Sequence, residues 1–150
     1  MANTYTQLFV HFVFAVQNRQ ALISKTWKDE LYKYITGIVT NKGHKLLSIG
    51  GVADHIHVLI GVSPNQSVSS LVADIKRSSS LWINERNLTA GKFAWQEGFG
   101  AFSYGKSQVH DVCEYIENQE EHHKIQSFRD EYIKFLELFG IDYNKDYIFY

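Results

Sequence analysis

The order in which strand-like and helix-like segments follow one another most constrains the fold of this chain. β-Branched and aromatic residues, which favour strands, are concentrated in four segments. These segments are residues 4–16, 45–52, 55–62 and 93–104. Residues 24–41 and 67–82 lie between them and place apolar side chains at the three- and four-residue spacing of amphipathic helices. The predicted order is therefore β-α-β-β-α-β.

That order predicts an α+β fold of the ferredoxin-like, or RRM-like, type: a four-stranded antiparallel sheet with two helices on one face. Two more helices are predicted after the sheet, over residues 109–122 and 128–139. No repeat or linker divides the chain, so residues 1–150 are predicted to form one domain. Its core is expected over about 4–123, with a C-terminal helix and tail over about 124–150. Because RNA-recognition modules use the same sheet, the topology alone does not choose a function.

Composition excludes several classes of protein. Cys113 is the only cysteine, which excludes an internal disulfide framework and a multi-cysteine zinc module. The longest apolar run, residues 8–16, is interrupted by His11, and no secretory signal is visible. We therefore expect a cytoplasmic protein with no membrane partner. The sequence has no Walker-type phosphate loop, so no nucleotide cofactor is expected.

The net charge of −1 conceals an uneven distribution of charge. Residues 1–107 contain 11 Lys and Arg against 6 Asp and Glu, whereas residues 108–150 contain 4 against 10. A basic body with an acidic C-terminal segment is compatible with a nucleic-acid partner, which a uniformly neutral surface would not favour. Much of the acidic segment, residues 108–150, is also explained as the solvent-exposed face of a helix.

The sequence Asp54-His55-Ile56-His57 is the sharpest local feature. Alternate side chains of a strand share a face, so His55 and His57 are predicted to project side by side, while Ile56 faces the apolar core. Two imidazoles converging from one strand suit a divalent metal. A pair of buried, hydrogen-bonded histidines is the alternative interpretation.

Tyr115 and Gln119 form a second feature, on the predicted helix over residues 109–122. Residues four apart are neighbours on one helical face. A tyrosine becomes a useful nucleophile where a base or a metal favours its phenolate, and Gln119 offers a neutral oxygen ligand one turn away. The alternative is an amphipathic tyrosine half-buried at a contact between helix and sheet.

Together, DHIHVLI and YIENQ resemble the HUH-superfamily transposases with a single catalytic tyrosine, which move small insertion sequences of the IS200 type as single-stranded DNA. The related REP-associated tyrosine transposases share this pattern. The resemblance runs from about residue 5 to about residue 123. It implies that His55, His57 and Gln119 bind Mg²⁺ or Mn²⁺ and that Tyr115 is the nucleophile.

The mechanism implied by the resemblance is transesterification of single-stranded DNA with hairpin ends. Tyr115 attacks a phosphate, a 3′-hydroxyl leaves, and a 5′-phosphotyrosine remains until another 3′-hydroxyl rejoins the strands. The resemblance also implies a homodimer associated with the nucleoid. The tyrosine helix lies in its own or its partner's site, and residues 105–107 are a plausible hinge for an exchange.

Further residues are predicted to contact DNA. Asn18 and Arg19 lie in the loop after the first strand, where the family places part of its single-strand recognition. Lys76 and Arg77 on the second helix, and Lys106 near the nucleophile, are candidates for phosphate contacts. The aromatic side chains that could stack on unpaired bases are Phe99, Phe102 and Tyr104.

The remaining histidines of the C-terminal segment, His110, His122 and His123, are interpreted as surface residues, and only His122 is considered as a neighbour of the site. Three other functions stay open. The chain could be a non-catalytic nucleic-acid-binding module on the same sheet, a metal-dependent hydrolase that uses His55 and His57, or a domesticated relative that acts on host repeats.

Overall fold

A four-stranded antiparallel sheet is the centre of the computed structural model, which describes residues 3–144. In chain order its strands are β1 (Phe9–Ala15), β2 (Lys45–Val52), β3 (His55–Gly61) and β4 (Gly100–Tyr104). Their spatial order is β2-β3-β1-β4, and neighbouring strands run antiparallel. This confirms the predicted ferredoxin-like sheet.

Helices α1 (Lys28–Asn41) and α2 (Val68–Glu85) cover one face of this sheet. Their apolar stripes meet the side chains of β1 and β3 that point to that face. The fully buried members of this core include Phe12, Phe14, Ile56, Val58, Ile60, Leu31, Ile35, Leu71 and Ile75. Because side chains alternate along a strand, burying Ile56 and Val58 here turns His55 and His57 to the opposite face.

The opposite face is covered by α3 (Val109–Glu117), α4 (Gln119–His122) and α5 (Phe128–Leu138). Helix α5 buries Phe128 and Leu136 against the sheet residues Val13, Ala15 and Phe102. The helix predicted over residues 128–139 is confirmed, and its role is to cover the sheet. The tail is described as far as residue 144, and residues 145–150 lie outside the described part.

The backbone of α3 comes unusually close to β2 at Gly50. A Cβ atom added to Gly50 would lie 2.2 Å from the carbonyl oxygen of Ile116, which no real side chain tolerates. Glycine is therefore required at this position so that α3 can lie against the sheet. The approach fixes Ile116 and its neighbour Tyr115 over the histidine face.

Two predicted boundaries were wrong. Residues 93–99 do not continue the last strand: only a bridge between Val16 and Trp95 forms there, and β4 begins at Gly100. This loop is instead stabilised from α2, because the Lys76 ammonium donates to the carbonyl oxygens of Gln96, at 2.7 Å, and of Gly98. The rings of Phe93 and Trp95 in this loop lie in the core, which explains why residues 93–99 have the composition of a strand.

The helix predicted over residues 109–122 is interrupted at Asn118, which has φ −100° and ψ 24°. The chain then forms the short helix α4. Within residues 3–144, none of the helices has both the length and the apolar character needed to span a membrane.

Candidate metal and nucleophile site

His55 and His57 lie side by side on β3, as the alternating pattern predicts. Both side chains are fully buried, and their ring centroids are 5.2 Å apart. The Nδ1 atom of His55 lies 2.7 Å from Oδ1 of Asp54, and Nδ1 of His57 lies 2.7 Å from Nε2 of His11 on β1. These contacts orient the rings and leave the Nε2 atom of each histidine facing the space between the sheet and α5.

His11 had not been predicted as a site residue. It is fully buried and lies two residues before Val13, which is directly opposite His57 in the register of β1 and β3. The strand pairing therefore places the His11 and His57 rings on the same face as diagonal neighbours. The sequence signal was a histidine within an apolar strand. Only the register of β1 against β3 shows that this histidine contacts His57.

Gln119 brings an amide oxygen to the same space. Its Oε1 atom lies 3.3 Å from Nε2 of His55 and 3.0 Å from Nε2 of His123. The amide NH₂ donates to the carbonyl oxygen of Tyr115 at 3.3 Å, which fixes the oxygen toward the histidines. Tyr115 and Gln119 thus meet the histidines together, although a break in the helix separates them.

The interpretation of His123 as a surface residue was wrong. The chain turns after α4, and the backbone N–H of His123 still donates to the carbonyl oxygen of Gln119, which holds its ring beside that side chain. Its ring centroid lies 4.5 Å from that of His55. His110, in contrast, is exposed on α3, as predicted.

Glu131 on α5 lies at the centre of these contacts and was missed by the sequence prediction. Its carboxylate oxygen Oε1 is 3.0 Å from Nε2 of His57, 3.1 Å from that of His123 and 3.4 Å from that of His55. The side chain is only 2% exposed. The available signal was an acidic residue on the apolar stripe of α5, three residues after Phe128.

Tyr115 completes the group from α3. Its hydroxyl donates to Oε2 of Glu131, the second oxygen of the same carboxylate. The ring centroid is 5.9 Å from that of His57, and the ring stacks on His122 at 4.5 Å. His122 is therefore a neighbour of Tyr115, as considered from the sequence. In this structure Tyr115 belongs to the same chain as the histidines that it approaches.

The pKa values of the group follow from burial and from these contacts. Burial alone would raise the pKa of Glu131, but hydrogen bonds with His123, His55 and His57 hold it well below the usual range. Burial lowers the pKa of His57 to about 4, although the hydrogen bond and the negative charge of Glu131 act to raise it. Burial and then the Glu131 carboxylate raise the pKa of Tyr115, so its hydroxyl is protonated at neutral pH.

The donor chemistry of the group suits a divalent metal. Asp54 is an acceptor, so Nδ1 of His55 carries the hydrogen, and a neutral ring presents only a lone pair at Nε2. That lone pair faces the oxygens of Gln119 and Glu131 at 3.3 and 3.4 Å, and neither oxygen can donate. Positive charge is needed here: a second proton on His55, whose pKa is raised, despite burial, by Asp54 and Glu131, supplies it, and so would a metal cation. The ligating atoms of His55, His57, His123 and Glu131 all lie within 4.8 Å of one another. These residues could hold a divalent cation.

Two cavities border the group. One, of about 570 Å³, lies on the His123 side and is lined by four basic residues and by the carboxylates of Asp54 and Glu120. Its basic residues are Arg19, Lys25, Lys28 and Lys124. The other, of about 400 Å³, borders Tyr115 and Glu131 and is also lined by Tyr104, Gln108 and Lys134. Arg19 is thus brought close to the site, next to Asn18 in a turn where both residues have positive φ.

The other predicted contact residues are distributed differently. Lys76 and Arg77 lie on α2, which covers the opposite face of the sheet. Lys76 donates to the loop carbonyls described above, and Arg77 forms an ion pair with Asp74 at 2.8 Å. Lys106 lies in the exposed turn before α3.

The prediction that Phe102 stacks on bases was wrong for this structure. Phe102 is 2% exposed, because α5 covers it and Phe135 stacks on its ring at 5.1 Å. Phe99 packs against the main core, and Tyr104 lines the smaller cavity.

The acidic residues of α3 and α4 are all exposed; they are Asp111, Glu114, Glu117, Glu120 and Glu121. Glu120 pairs with Lys28 at 2.6 Å, and Glu121 pairs with Lys124 at 3.0 Å. Asp111 nevertheless lines the cavity beside Tyr115, and Glu120 lines the larger cavity, so a phosphate that enters either cavity meets negative charge there.

Known proteins resemble this chain over most of its length. The transposase for insertion sequence element IS200 of Salmonella typhimurium is 26% identical over 130 residues, covering 83% of this chain and 85% of the relative. The ISDra2 transposase TnpA of Deinococcus radiodurans is 21% identical over 118 residues, covering 75% and 84%.

Solved structures share the fold. A candidate transposase from Deinococcus radiodurans R1 superimposes with a TM-score of 0.62 at 20% identity, covering 79% of this chain and 95% of that one. A REP-associated tyrosine transposase bound to a REP hairpin gives a TM-score of 0.57 at 15% identity, covering 77% and 68%. Residues 4–119 match the family model described as "Transposase IS200 like", and the chain therefore belongs to the IS200-like transposase family.

Proposed function

We propose that this transposase cleaves and rejoins single-stranded DNA through a covalent bond to Tyr115, with a divalent metal held by His55, His57 and Gln119. The observation that supports this most is the convergence of a tyrosine hydroxyl, two strand histidines and an amide oxygen at one buried point beside an open cavity. His57 and Tyr115 are 58 positions apart in the sequence, and the helical break at Asn118 separates Tyr115 from Gln119.

In the proposed reaction the Tyr115 oxygen attacks the phosphorus of a DNA phosphate. A bond from tyrosine oxygen to phosphorus forms as the hydroxyl loses its proton, the bond from phosphorus to the 3′-oxygen breaks, and the leaving 3′-oxygen takes up one proton, so that the protons balance. A 5′-phosphotyrosine remains, and a second 3′-hydroxyl reverses the step to rejoin strands. Bound Mg²⁺ or Mn²⁺ would supply Lewis-acid polarisation of the phosphate. Glu131 accepts the hydrogen bond from Tyr115 and so keeps its hydroxyl aimed at the histidines.

We infer that the substrate carries hairpin ends; the REP-associated neighbour is bound to a REP hairpin. Arg19 supports a DNA path through the larger cavity. Lys25 also lines this cavity, as do Lys28 and Lys124, which are paired with Glu120 and Glu121. The assignments of Asn18, Lys76, Arg77 and Lys106 to DNA contacts remain predictions, as do a homodimer and association with the nucleoid. Lys76 would have to keep its contacts to the loop after α2 while it binds DNA.

The test is the formation of a covalent adduct. The purified protein is incubated with labelled single-stranded hairpin DNA from the sequences that flank its gene, with Mg²⁺ or Mn²⁺, and resolved under denaturing conditions. We expect an adduct that chelation and Tyr115→Phe abolish. Tyr5→Phe is the matched control, because Tyr5 is 89% exposed and distant from the site in sequence.

Other outcomes contradict the proposal and identify its alternatives. Oligonucleotide binding that survives chelation without an adduct indicates a binding module. Cleavage that persists in Tyr115→Phe, with no protein on the product ends, indicates a hydrolase. An adduct that forms on host repeats but not on flanking sequences indicates a domesticated relative.

A further inference from the structure

Glu131 and His123 lie beyond residues 4–119, which match the family, yet both reach the centre of the site. Glu131 is 2% exposed and His123 is half-buried. Helix α5 brings Glu131 there because its apolar stripe, with Phe128 and Phe135, packs on the same sheet face. The placement of Glu131 is thus a consequence of the helix that closes this face.

The distances around Glu131 agree with those between neighbouring ligands of one cation. Octahedral Mg²⁺ or Mn²⁺ with bonds of about 2.1 Å separates adjacent ligand atoms by roughly 3.0 Å. The Glu131 Oε1 atom lies 3.0, 3.1 and 3.4 Å from Nε2 of His57, His123 and His55. The Gln119 oxygen lies 3.0 and 3.3 Å from two of the same nitrogens.

Hydrogen bonding among neutral imidazoles explains these contacts poorly. Oε1 of Glu131 would have to accept from three imidazoles, but Nε2 of a neutral His55 carries no hydrogen, since Nδ1 donates to Asp54. His123 Nε2 is shared between two acceptor oxygens, those of Gln119 and Glu131. A single cation among these atoms satisfies all of the lone pairs at once.

We propose that Glu131 and His123 are ligands of the same divalent cation as His55, His57 and Gln119, and that Glu131 also positions the hydroxyl of Tyr115. This inference rests on the metal centre of the proposed function and extends it to α5. Oxygen Oε1 faces the imidazoles while Oε2 accepts the hydrogen bond from Tyr115, so one carboxylate links the metal ligands to the nucleophile.

The enlarged ligand set has a chemical consequence. Three imidazoles, one amide oxygen and one carboxylate favour a transition-metal ion over Mg²⁺, which prefers oxygen ligands and retained water. The site is therefore expected to bind Mn²⁺ more tightly than Mg²⁺. One coordination position remains for a phosphate oxygen, which would approach from the cavity beside Tyr115.

The test measures Mn²⁺ binding to the full chain by calorimetry and by the paramagnetic resonance spectrum of bound Mn²⁺, without DNA. We expect Glu131→Gln and Glu131→Ala to weaken Mn²⁺ binding at least tenfold, and His123→Ala to weaken it by a similar factor. Glu137→Gln is the matched control, because Glu137 is an exposed glutamate on the same helix. Thermal unfolding in chelator verifies that each variant is folded.

Equal or tighter Mn²⁺ binding by folded Glu131→Gln and Glu131→Ala would overturn the proposal. Tighter binding combined with faster adduct formation would show instead that Glu131 occupies the place of the metal or the phosphate. Tyr115 provides a separate readout: loss of the Glu131 contact should lower the pH at which its phenol ionises, followed at 295 nm against Tyr115→Phe. Metal binding that depends on Glu131 without any DNA adduct would support this inference while rejecting the proposed function.

Discussion

Single side chains decide how the strand histidines present their lone pairs. Asp54 holds Nδ1 of His55 at 2.7 Å, and His11 holds Nδ1 of His57 at the same distance. Such outer contacts fix the ring orientation and the tautomer of a metal-binding histidine. The orienting partner of His55 is the adjacent residue, Asp54, whereas that of His57 is His11, which lies 46 residues away in the chain.

Asp54→Ala is expected to weaken Mn²⁺ binding by about 10- to 100-fold, because His55 loses the acceptor that orients its ring. Asp74→Ala removes a carboxylate from α2 on the other side of the sheet and should leave the affinity unchanged. Calorimetric titration of both variants checks this. Equal affinity in the wild type and Asp54→Ala would mean that Asp54 does not support the metal ligand.

Elements determine whether these side chains meet, since α3 and α5 each carry part of the site to the sheet. Helix α3 brings Tyr115 through its close approach at Gly50, and α5 brings Glu131 through an aromatic contact with β4. The site therefore depends on how firmly two helices are held against one sheet face. Two substitutions test this dependence separately.

Gly50→Ala is expected to destabilise the protein and to displace α3, since the new Cβ would lie 2.2 Å from the carbonyl oxygen of Ile116. Gly37→Ala is the matched control: nothing lies within 4 Å of its added Cβ, inside helix α1. At that position alanine reduces the backbone freedom of the unfolded chain, so it should raise the free energy of unfolding by about 0.5–1 kcal/mol. Denaturant unfolding measures both, and a neutral Gly50→Ala would contradict the tight approach.

Phe102→Ala is expected to loosen α5 and to destabilise the fold by about 3–5 kcal/mol, because it empties a buried position under Phe135. Amide exchange should accelerate more in α5 than in α1 or α2, which pack on the other face. Hydrogen exchange followed by mass spectrometry locates the effect. Uniform acceleration across all helices would show that α5 is not a separately stabilised element.

At the scale of the whole molecule, the uneven charge of the sequence becomes a spatial arrangement. The acids of α3 and α4 are exposed, and two of them pair with Lys28 and Lys124 at the larger cavity. Among the described acids of the C-terminal segment, the buried Glu131 is the one that contacts His55, His57 and His123. Most of the described carboxylates of the acidic C-terminal segment face solvent, but Asp111 and Glu120 also line the two cavities beside the site.

Alkaline pH is expected to destabilise the whole fold. Burial raises the pKa of Tyr104 from 10.0 to about 12, and it also raises the pKa of Tyr32. The unfolded chain therefore loses these protons first, so the free energy of unfolding should fall as the pH rises from about 10 to about 12. Thermal unfolding across this range measures the slope, and Tyr104→Phe should reduce it. A flat profile would contradict the buried state of these hydroxyls.

The association of His55 and His57 with Tyr115 and Gln119 was implied by the resemblance to a family. The sequence by itself determined the order of the elements and the two faces of β3. These are local properties, since strand alternation, helical spacing and motif order are written in neighbouring residues. The same reasoning failed at residues 93–99, where aromatic composition reflected burial rather than strand pairing. It also failed at Asn118, where the break in the helix left no clear compositional signal.

Only the tertiary structure decided that His11, His123 and Glu131 belong to the site. Each lies on a different element, and their spacing in the chain does not specify which side chains meet across a sheet face. The register of β1 against β3 brings in His11, the turn after α4 brings in His123, and the packing of α5 brings in Glu131. The physical reason is that the local pattern of apolar residues determines which face of a helix or strand is buried. Which side chains meet across two buried faces depends on how the separate elements pack.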